Sequence, residues 1–145
     1  MSKRGQAWSS VQECGVAVEE ARKGAAEGGV PIGAALVAKD GTVLGRGHNM
    51  RVQNGSATLH AEMSALENSG RLPASAYEGA TMYTTLSPCD MCTGALSCTK
   101  LSGWLLEYLL NRGKEVVVLD NEECKQMMEI FIRGKPELWN EGIGV

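Results

Sequence analysis

One histidine, one glutamate and two cysteines are the residues of this 145-residue chain whose types and spacing could do chemistry. They stand in two short motifs, His60-Ala61-Glu62 and Pro88-Cys89-Asp90-Met91-Cys92. Structural zinc sites usually have four protein ligands, whereas catalytic sites have three and keep the fourth position for water or substrate. One imidazole and two thiols make three ligands. The motifs therefore predict a catalytic Zn²⁺ site with His60, Cys89 and Cys92 as its ligands.

Glu62 lies two residues after the predicted histidine ligand, and we predict that it is the catalytic proton carrier. Zinc lowers the pKa of a bound water from about 15.7 toward 7, so a zinc-bound hydroxide would form at neutral pH. The Glu62 carboxylate could take the released proton and pass it to a departing amine. A lone C-x-x-C motif also occurs in redox pairs and zinc ribbons. The order H-x-E…P-C-x-x-C, however, is the signature of zinc-dependent nucleobase deaminases.

Alternating helix and strand patterns surround the two motifs and predict an α/β fold. The predicted order is helix 11–26, strand 32–37, strand 42–47, helix 60–68, strand 81–85, a helix opened by Ser87-Pro88, strand 115–120 and helix 121–132. Asp40-Gly41, between the first two strands, is a strong hairpin signal. His60 and the pair Cys89 and Cys92 would each lie at the N-terminus of a helix. The partial positive charge there favours the thiolates that zinc requires.

Composition limits the partners that the chain could have. A length of 145 residues predicts a single domain spanning 1–145. The net charge of −3 and the pI near 5.4 give no basic footprint, which argues against a nucleic-acid partner. No apolar run approaches the roughly 20 residues of a membrane span, and the first residues show no signal-peptide core. We therefore expect a cytoplasmic protein that can also reach the nucleus.

Four longer stretches near the zinc motifs carry a resemblance to a known family. They are Gly28–Gly33, Gly45–Met50, Gly55–His60 and Tyr83–Pro88. With the zinc motifs they resemble the cytidine deaminase superfamily, most closely its fungal cytosine deaminase branch. This resemblance implies a three-layer α/β/α sandwich around a mostly parallel mixed sheet. It also implies a zinc-bearing homodimer that hydrolyses the amidine C–N bond of free cytosine, giving uracil and ammonia in pyrimidine salvage.

The resemblance also implies a set of substrate contacts. Asn49 matches an asparagine that hydrogen-bonds the pyrimidine ring, where its planar amide would donate and accept at once. An Asx-type turn after the strand is the alternative. Ala61 matches a residue whose backbone N–H contacts the substrate, and Ser87 one whose carbonyl meets the amino group. Ile32 and Trp139 match apolar walls of the pocket, with a role in the core as the alternative for both.

Two departures from the family pattern bear on activity. The segment 96–106 stands where the family has a longer segment with its fourth strand, so this strand is predicted to be shortened or missing, which would weaken the homodimer. In the C-terminal lid, Gly142 replaces an acidic residue that contacts the base, and the neighbouring Glu141 could substitute for it. An aspartate restored at Gly142 would then strengthen cytosine binding.

The sequence therefore predicts a zinc-dependent cytosine deaminase, with two alternatives left open. One is a deaminase of another nucleobase or nucleoside, favoured by the change at Gly142. The other is a folded but inactive deaminase homologue, favoured by the shortened segment 96–106.

Overall fold

A computed structural model of the chain describes residues 4–98 and 121–145, without the side chains of residues 4–11, 13 and 97. The elements in these ranges are α1 (Arg4–Ala26), β1 (Gly33–Val37), β2 (Val43–His48), α2 (Arg51–Asn54), α3 (Ala61–Ser69), a 3₁₀ turn (Ala74–Tyr77), β3 (Thr81–Thr84), α4 (Asp90–Cys98), α5 (Glu122–Gly134) and α6 (Pro136–Ile143). None of these helices combines the length and the apolar composition of a membrane span.

The three described strands form one sheet that is covered by helices on both faces. Their order is β2-β1-β3, and every residue of β1 is buried. Alternate residues of a strand point to opposite faces of its sheet. A Cβ at Gly33 would collide with α1, whereas a Cβ at Gly47, which pairs with Ala34, would collide with α3. Helices α1 and α3 thus lie on opposite faces, and the predicted three-layer α/β/α arrangement is confirmed.

Both pairings among the described strands are antiparallel. The parallel pairings of the predicted mixed sheet are not found among the described residues. The predicted strand 115–120 lies outside the described residues. The segment 96–106 begins inside α4, where Leu96 is buried, and its residues 99–106 also lie outside the described ranges.

The predicted elements agree with the structure where the sequence shows either a periodic pattern over several helical turns or a specific hairpin motif. The Asp40-Gly41 hairpin joins β1 to β2, and Gly41 has a positive φ of 90°. Helix α5 begins after Asn121, whose side chain accepts a hydrogen bond from the Cys124 N–H. Helix α2, the 3₁₀ turn and α6 are not among the predicted elements, because four to eight residues are too few for a clear periodicity.

Two glycines of β2 let helix α3 lie close to the sheet. A Cβ at Gly45 would collide with the carbonyl oxygen of Ala65, and a Cβ at Gly47 would lie 2.5 Å from Ser64 Oγ. Glycine inside a strand is often found where another backbone approaches this closely. Since α3 carries Glu62 and starts directly after His60, these glycines fix the distance of both residues from the sheet.

A buried carboxylate joins α1 to β2 on the opposite face. Glu20 is 5% exposed and accepts hydrogen bonds from Arg46 Nε at 2.6 Å and Lys23 Nζ at 3.2 Å. Its other oxygen lies 2.7 Å from His48 Nδ1, and His48 Nε2 lies 3.0 Å from Glu27. Burial by itself would lower the pKa of His48, but the two carboxylates outweigh burial and raise it.

This arrangement predicts a pH-dependent contribution of His48 to stability. Because the pKa of His48 is raised in the folded protein, its ionic contribution is complete below the unfolded value of about 6.5 and is lost as the pH rises through the folded value. We expect His48→Gln to lower the free energy of unfolding by about 1–3 kcal/mol near pH 6 and by less near pH 9, measured in urea. An equal loss at both pH values would mean that His48 stabilises the fold by packing alone.

Candidate active site

His60 is held at the start of α3. It is the N-cap residue, with an extended backbone (φ −68°, ψ 166°), and its carbonyl accepts the Ser64 N–H at 2.9 Å. The backbone therefore turns at His60, and the imidazole joins the cysteines at the end of β3. The predicted location of His60 at a helix N-terminus is confirmed.

The two cysteines lie on the first turn of α4. Cys89 directly precedes the helix, and its carbonyl accepts the Thr93 N–H at 2.9 Å. Cys92 follows three residues later, which places both thiols on the same side of the helix. Cys92 is fully buried, whereas Cys89 is exposed. One ligand is thus anchored in the core and the other borders the solvent.

The geometry of the three side chains fits zinc. Their ligand atoms all lie within 4.8 Å of one another, and Cys89 Sγ is 3.5 Å from His60 Nδ1. Bonds of about 2.3 Å to sulfur and 2.0 Å to nitrogen at a tetrahedral angle give a separation of about 3.5 Å. His60, Cys89 and Cys92 would therefore hold the ion through three bonds and leave one tetrahedral position for another ligand.

The protonation of the ligands depends on their burial. Burial, together with the nearby charge of Glu62, raises the pKa of the Cys92 thiol. Without a bound cation, burial therefore outweighs any preference of the helix N-terminus for the Cys92 thiolate. The charge of a bound cation deprotonates a coordinating thiol. Burial lowers the pKa of His60, with Arg51 acting in the same direction, which favours the neutral imidazole that metals bind.

Glu62 is fixed beside the ligands by a hydroxyl that the sequence did not reveal. Its carboxylate is buried, with 3% of the residue exposed, and Oε1 accepts a hydrogen bond from Thr84 Oγ1 at 2.7 Å. Thr84 ends β3 and pairs with Ala34, so it lies on the face of the sheet that α3 covers. No motif marks Thr84, because the contact exists only once α3 packs on β3.

One cavity of about 130 Å³ brings most of the predicted site residues together. The predicted residues along its wall are Ile32, Asn49, His60, Ala61, Glu62, Ser87, Cys89, Trp139 and Gly142. Cys92 lies in the core behind Cys89 and is not part of the wall. Glu141 lines a neighbouring cavity of about 350 Å³ instead, because consecutive residues of α6 point in different directions. A substitution of Glu141 for an acidic residue at Gly142 therefore has no support in this arrangement.

The pocket walls also belong to the core. Ile32 is 8% exposed and is part of the main apolar cluster, and Trp139 packs against that cluster while lining the cavity. The two interpretations of these residues, wall and core, are therefore compatible. The structure adds four apolar wall residues that the sequence did not single out: Val30, Leu86, Leu138 and Ile143.

Asn49 lies in the cavity wall and also closes an Asx-type turn. It is 4% exposed, lines the cavity, and accepts the Arg51 backbone N–H on Oδ1 at 3.0 Å. That bond is an Asx-type turn, and it engages the acceptor of the side chain. Oδ1 keeps a second lone pair and the amide nitrogen carries two donors, so the Asn49 amide can still both donate to and accept from a ligand.

Comparison with known proteins identifies the family. Residues 11–106 match the family described as the cytidine and deoxycytidylate deaminase zinc-binding region. The chain belongs to this deaminase family. It is 48% identical over 139 residues to the cytosine deaminase of Candida albicans, covering 89% of this chain and 93% of that protein.

Another relative is named for a different substrate. A tRNA-specific adenosine deaminase of Bacillus subtilis is 37% identical over 138 residues, covering 81% of this chain and 84% of that protein. A crystal structure of a protein in complex with 2,6-diaminopurine matches with a TM-score of 0.71 at 21% identity, covering 85% of this chain and 81% of the other. That last likeness confirms the fold. The family match and the identity to the cytosine deaminase make this protein a hydrolytic deaminase of a zinc-binding family, as the motifs predicted.

Proposed function

We propose that this deaminase hydrolyses free cytosine to uracil and ammonia and that it acts in pyrimidine salvage. The observation that carries the proposal is one small cavity whose wall includes His60 and Cys89 of the potential zinc ligands, a buried glutamate and a buried asparagine amide. The identity of 48% to a cytosine deaminase over most of both chains supports cytosine over the substrates of more distant relatives.

In this proposal Glu62 moves the protons of the reaction. Zinc, when bound, supplies Lewis-acid activation that makes water a nucleophile at neutral pH. Glu62 accepts a proton from the attacking water, whose oxygen bonds to the ring carbon that bears the amine. As this bond forms, the C4–N3 double bond opens and N3 takes up the proton from Glu62. Glu62 then carries the remaining proton of the new hydroxyl to the amine, the C–N bond breaks, and ammonia leaves as C4 becomes the carbonyl carbon of uracil. The hydrogen bond from Thr84 holds the carboxylate in place for these transfers.

The other residues of the cavity orient the base. The Asn49 amide nitrogen and the Ala61 backbone N–H donate to the ring, and the Ser87 carbonyl accepts from the amino group. The side chains of Ile32 and Trp139 enclose the two faces of the planar ring. A site that pairs with the polar edge of a base discriminates strongly, because a substrate without that edge leaves buried polar groups without partners.

The partner proposed is a small pyrimidine base, and the assembly proposed is a homodimer of single-domain chains 1–145. The net charge of −3 supports a small substrate over a polynucleotide, since phosphate backbones are bound by basic surfaces. The proposed location is the cytoplasm, with access to the nucleus.

The proposal is tested by product analysis on the purified, zinc-loaded protein. We expect cytosine to give uracil and ammonia in equal amounts, with much slower release of ammonia from guanine, cytidine and adenosine. Faster turnover of one of these other compounds would overturn the assignment to cytosine and keep the deaminase chemistry. A protein that binds zinc but deaminates none of the four would instead be an inactive homologue.

A further inference from the structure

The Arg51 guanidinium lies in the cavity where a side chain at position 142 would otherwise be. Arg51 is the first residue of α2, and Gly142 lies in α6, at the other end of the chain. A Cβ built on Gly142 would lie 2.5 Å from Arg51 Nη1 and 3.8 Å from Arg51 Cζ. The guanidinium therefore fills the space that any side chain at position 142 would need.

One nitrogen of the Arg51 guanidinium lacks a hydrogen-bond partner in the described part of the chain. Arg51 Nε is buried, and among residues 4–98 and 121–145 it has no hydrogen-bond partner. An arginine side chain has five N–H donors, has no acceptor and keeps its charge in proteins. A buried donor without a partner is costly, so a ligand that supplies an acceptor there gains affinity.

Arg51 also lies at a junction between two cavities. It lines both the cavity of about 130 Å³ that contains His60 and Glu62 and the neighbouring cavity of about 350 Å³. In the first cavity, its charged guanidinium and the Asn49 amide are both hydrogen-bond donors. The wall around Gly142 therefore offers donors to a ligand, whereas an acidic residue at 142 would offer an acceptor.

We propose that Arg51 is a specificity-determining residue of this site and that its guanidinium donates to the 2-oxo oxygen of the base. The inference rests on the proposed cytosine substrate. With the amine-bearing carbon at the metal ligands, cytosine turns its 2-oxo oxygen, N1 and C6 toward the rest of the cavity. Neutral N1–H is a donor and C6–H is nonpolar, so the oxygen is the acceptor that a guanidinium can bind there.

This assignment reverses the expectation for an aspartate at Gly142. A carboxylate at that position would lie against Arg51 Nη1 and form an ion pair with it. The pair would take the guanidinium away from the base, so Gly142→Asp should weaken cytosine binding.

The decisive experiment compares cytosine with 4-aminopyrimidine, which lacks the 2-oxo oxygen and has an unprotonated N1 in place of the N1–H. Affinities are measured by calorimetry in the Glu62→Gln background, which prevents turnover. We expect Arg51→Met to weaken cytosine binding by about 10- to 100-fold and 4-aminopyrimidine binding by less than about twofold. Arg51→Lys should lie between, and Arg71→Met, at an exposed position, should change neither. Equal losses for both bases, or no loss for cytosine, would overturn the proposal.

A second variant displaces the guanidinium without removing it. Gly142→Ala puts a methyl group against Arg51 Nη1 and should weaken cytosine binding while leaving the melting temperature equal or higher, since alanine favours the helix. Gly134→Ala in α5 is the matched control, because a Cβ there meets nothing within 4 Å. If Gly142→Ala changes the affinity for neither cytosine nor 4-aminopyrimidine, this result would count against Arg51 as the residue that recognises the base.

The two proposals fail in different ways. If the zinc-loaded protein does not convert cytosine, the proposed function fails. The ratio of the two affinities in the Glu62→Gln background, with and without Arg51→Met, still decides the role of Arg51. A protein that binds neither base overturns both.

Discussion

Replacing Glu62 by glutamine should remove nearly all turnover while the fold and the zinc content remain. Glutamine has the same shape, and its Oε1 can still accept the hydrogen bond from Thr84. It cannot carry a proton, however, and general acid–base catalysis contributes about 10²- to 10⁴-fold to a rate. We expect kcat to fall by at least that range, measured as uracil formation. Zinc content by atomic absorption and the melting temperature should match the wild type.

A matched control comes from the same helix. Glu67 lies in α3 with an exposed side chain, so Glu67→Gln changes the same charge on the same element away from the cavity. It should leave kcat unchanged. Normal deamination by Glu62→Gln, or an equal loss in Glu67→Gln, would show that Glu62 is not the proton carrier.

Replacing a zinc ligand should cost both the metal and much of the stability. A metal that binds the folded protein stabilises it by its binding free energy, which is large for zinc held by thiolates. Cys89→Ala and Cys92→Ala should each lose zinc and unfold several kcal/mol more easily than the zinc-loaded wild type. Cys92→Ala should be the less stable of the two without metal, because Cys92 is fully buried and its loss leaves a cavity.

A chelator separates the contribution of the metal from that of packing. Treatment with a chelator should lower the melting temperature of the wild type to near that of Cys89→Ala and leave Cys89→Ala itself unchanged. Cys98→Ala is the control on the same helix, since Cys98 is an exposed thiol in α4. It should keep zinc and respond to the chelator as the wild type does. A Cys89→Ala protein with full zinc content would exclude Cys89 as a ligand.

The sequence by itself determined the three potential zinc ligands and the helices that carry them. The C-x-x-C spacing places two thiols on one helical turn, and the hairpin at Asp40-Gly41 follows from the backbone freedom of glycine. These are local properties, since they depend on residues a few positions apart. For the same reason the boundaries of α3 and α5 agree closely with the patterns, and His60 lies at the helix N-terminus where it was expected.

Only the tertiary structure decided which polar side chains line the cavity and what they contact there. The bond between Thr84 and Glu62 joins residues of β3 and α3, and the approach of Arg51 to Gly142 joins two helices at opposite ends of the chain. The direction of Glu141 into a second cavity depends on the rotation of α6 about its axis. No spacing in the sequence encodes these contacts, because they arise when separate elements pack to bury their apolar faces. The polarity of the pocket therefore comes from packing, and the metal chemistry comes from the motifs.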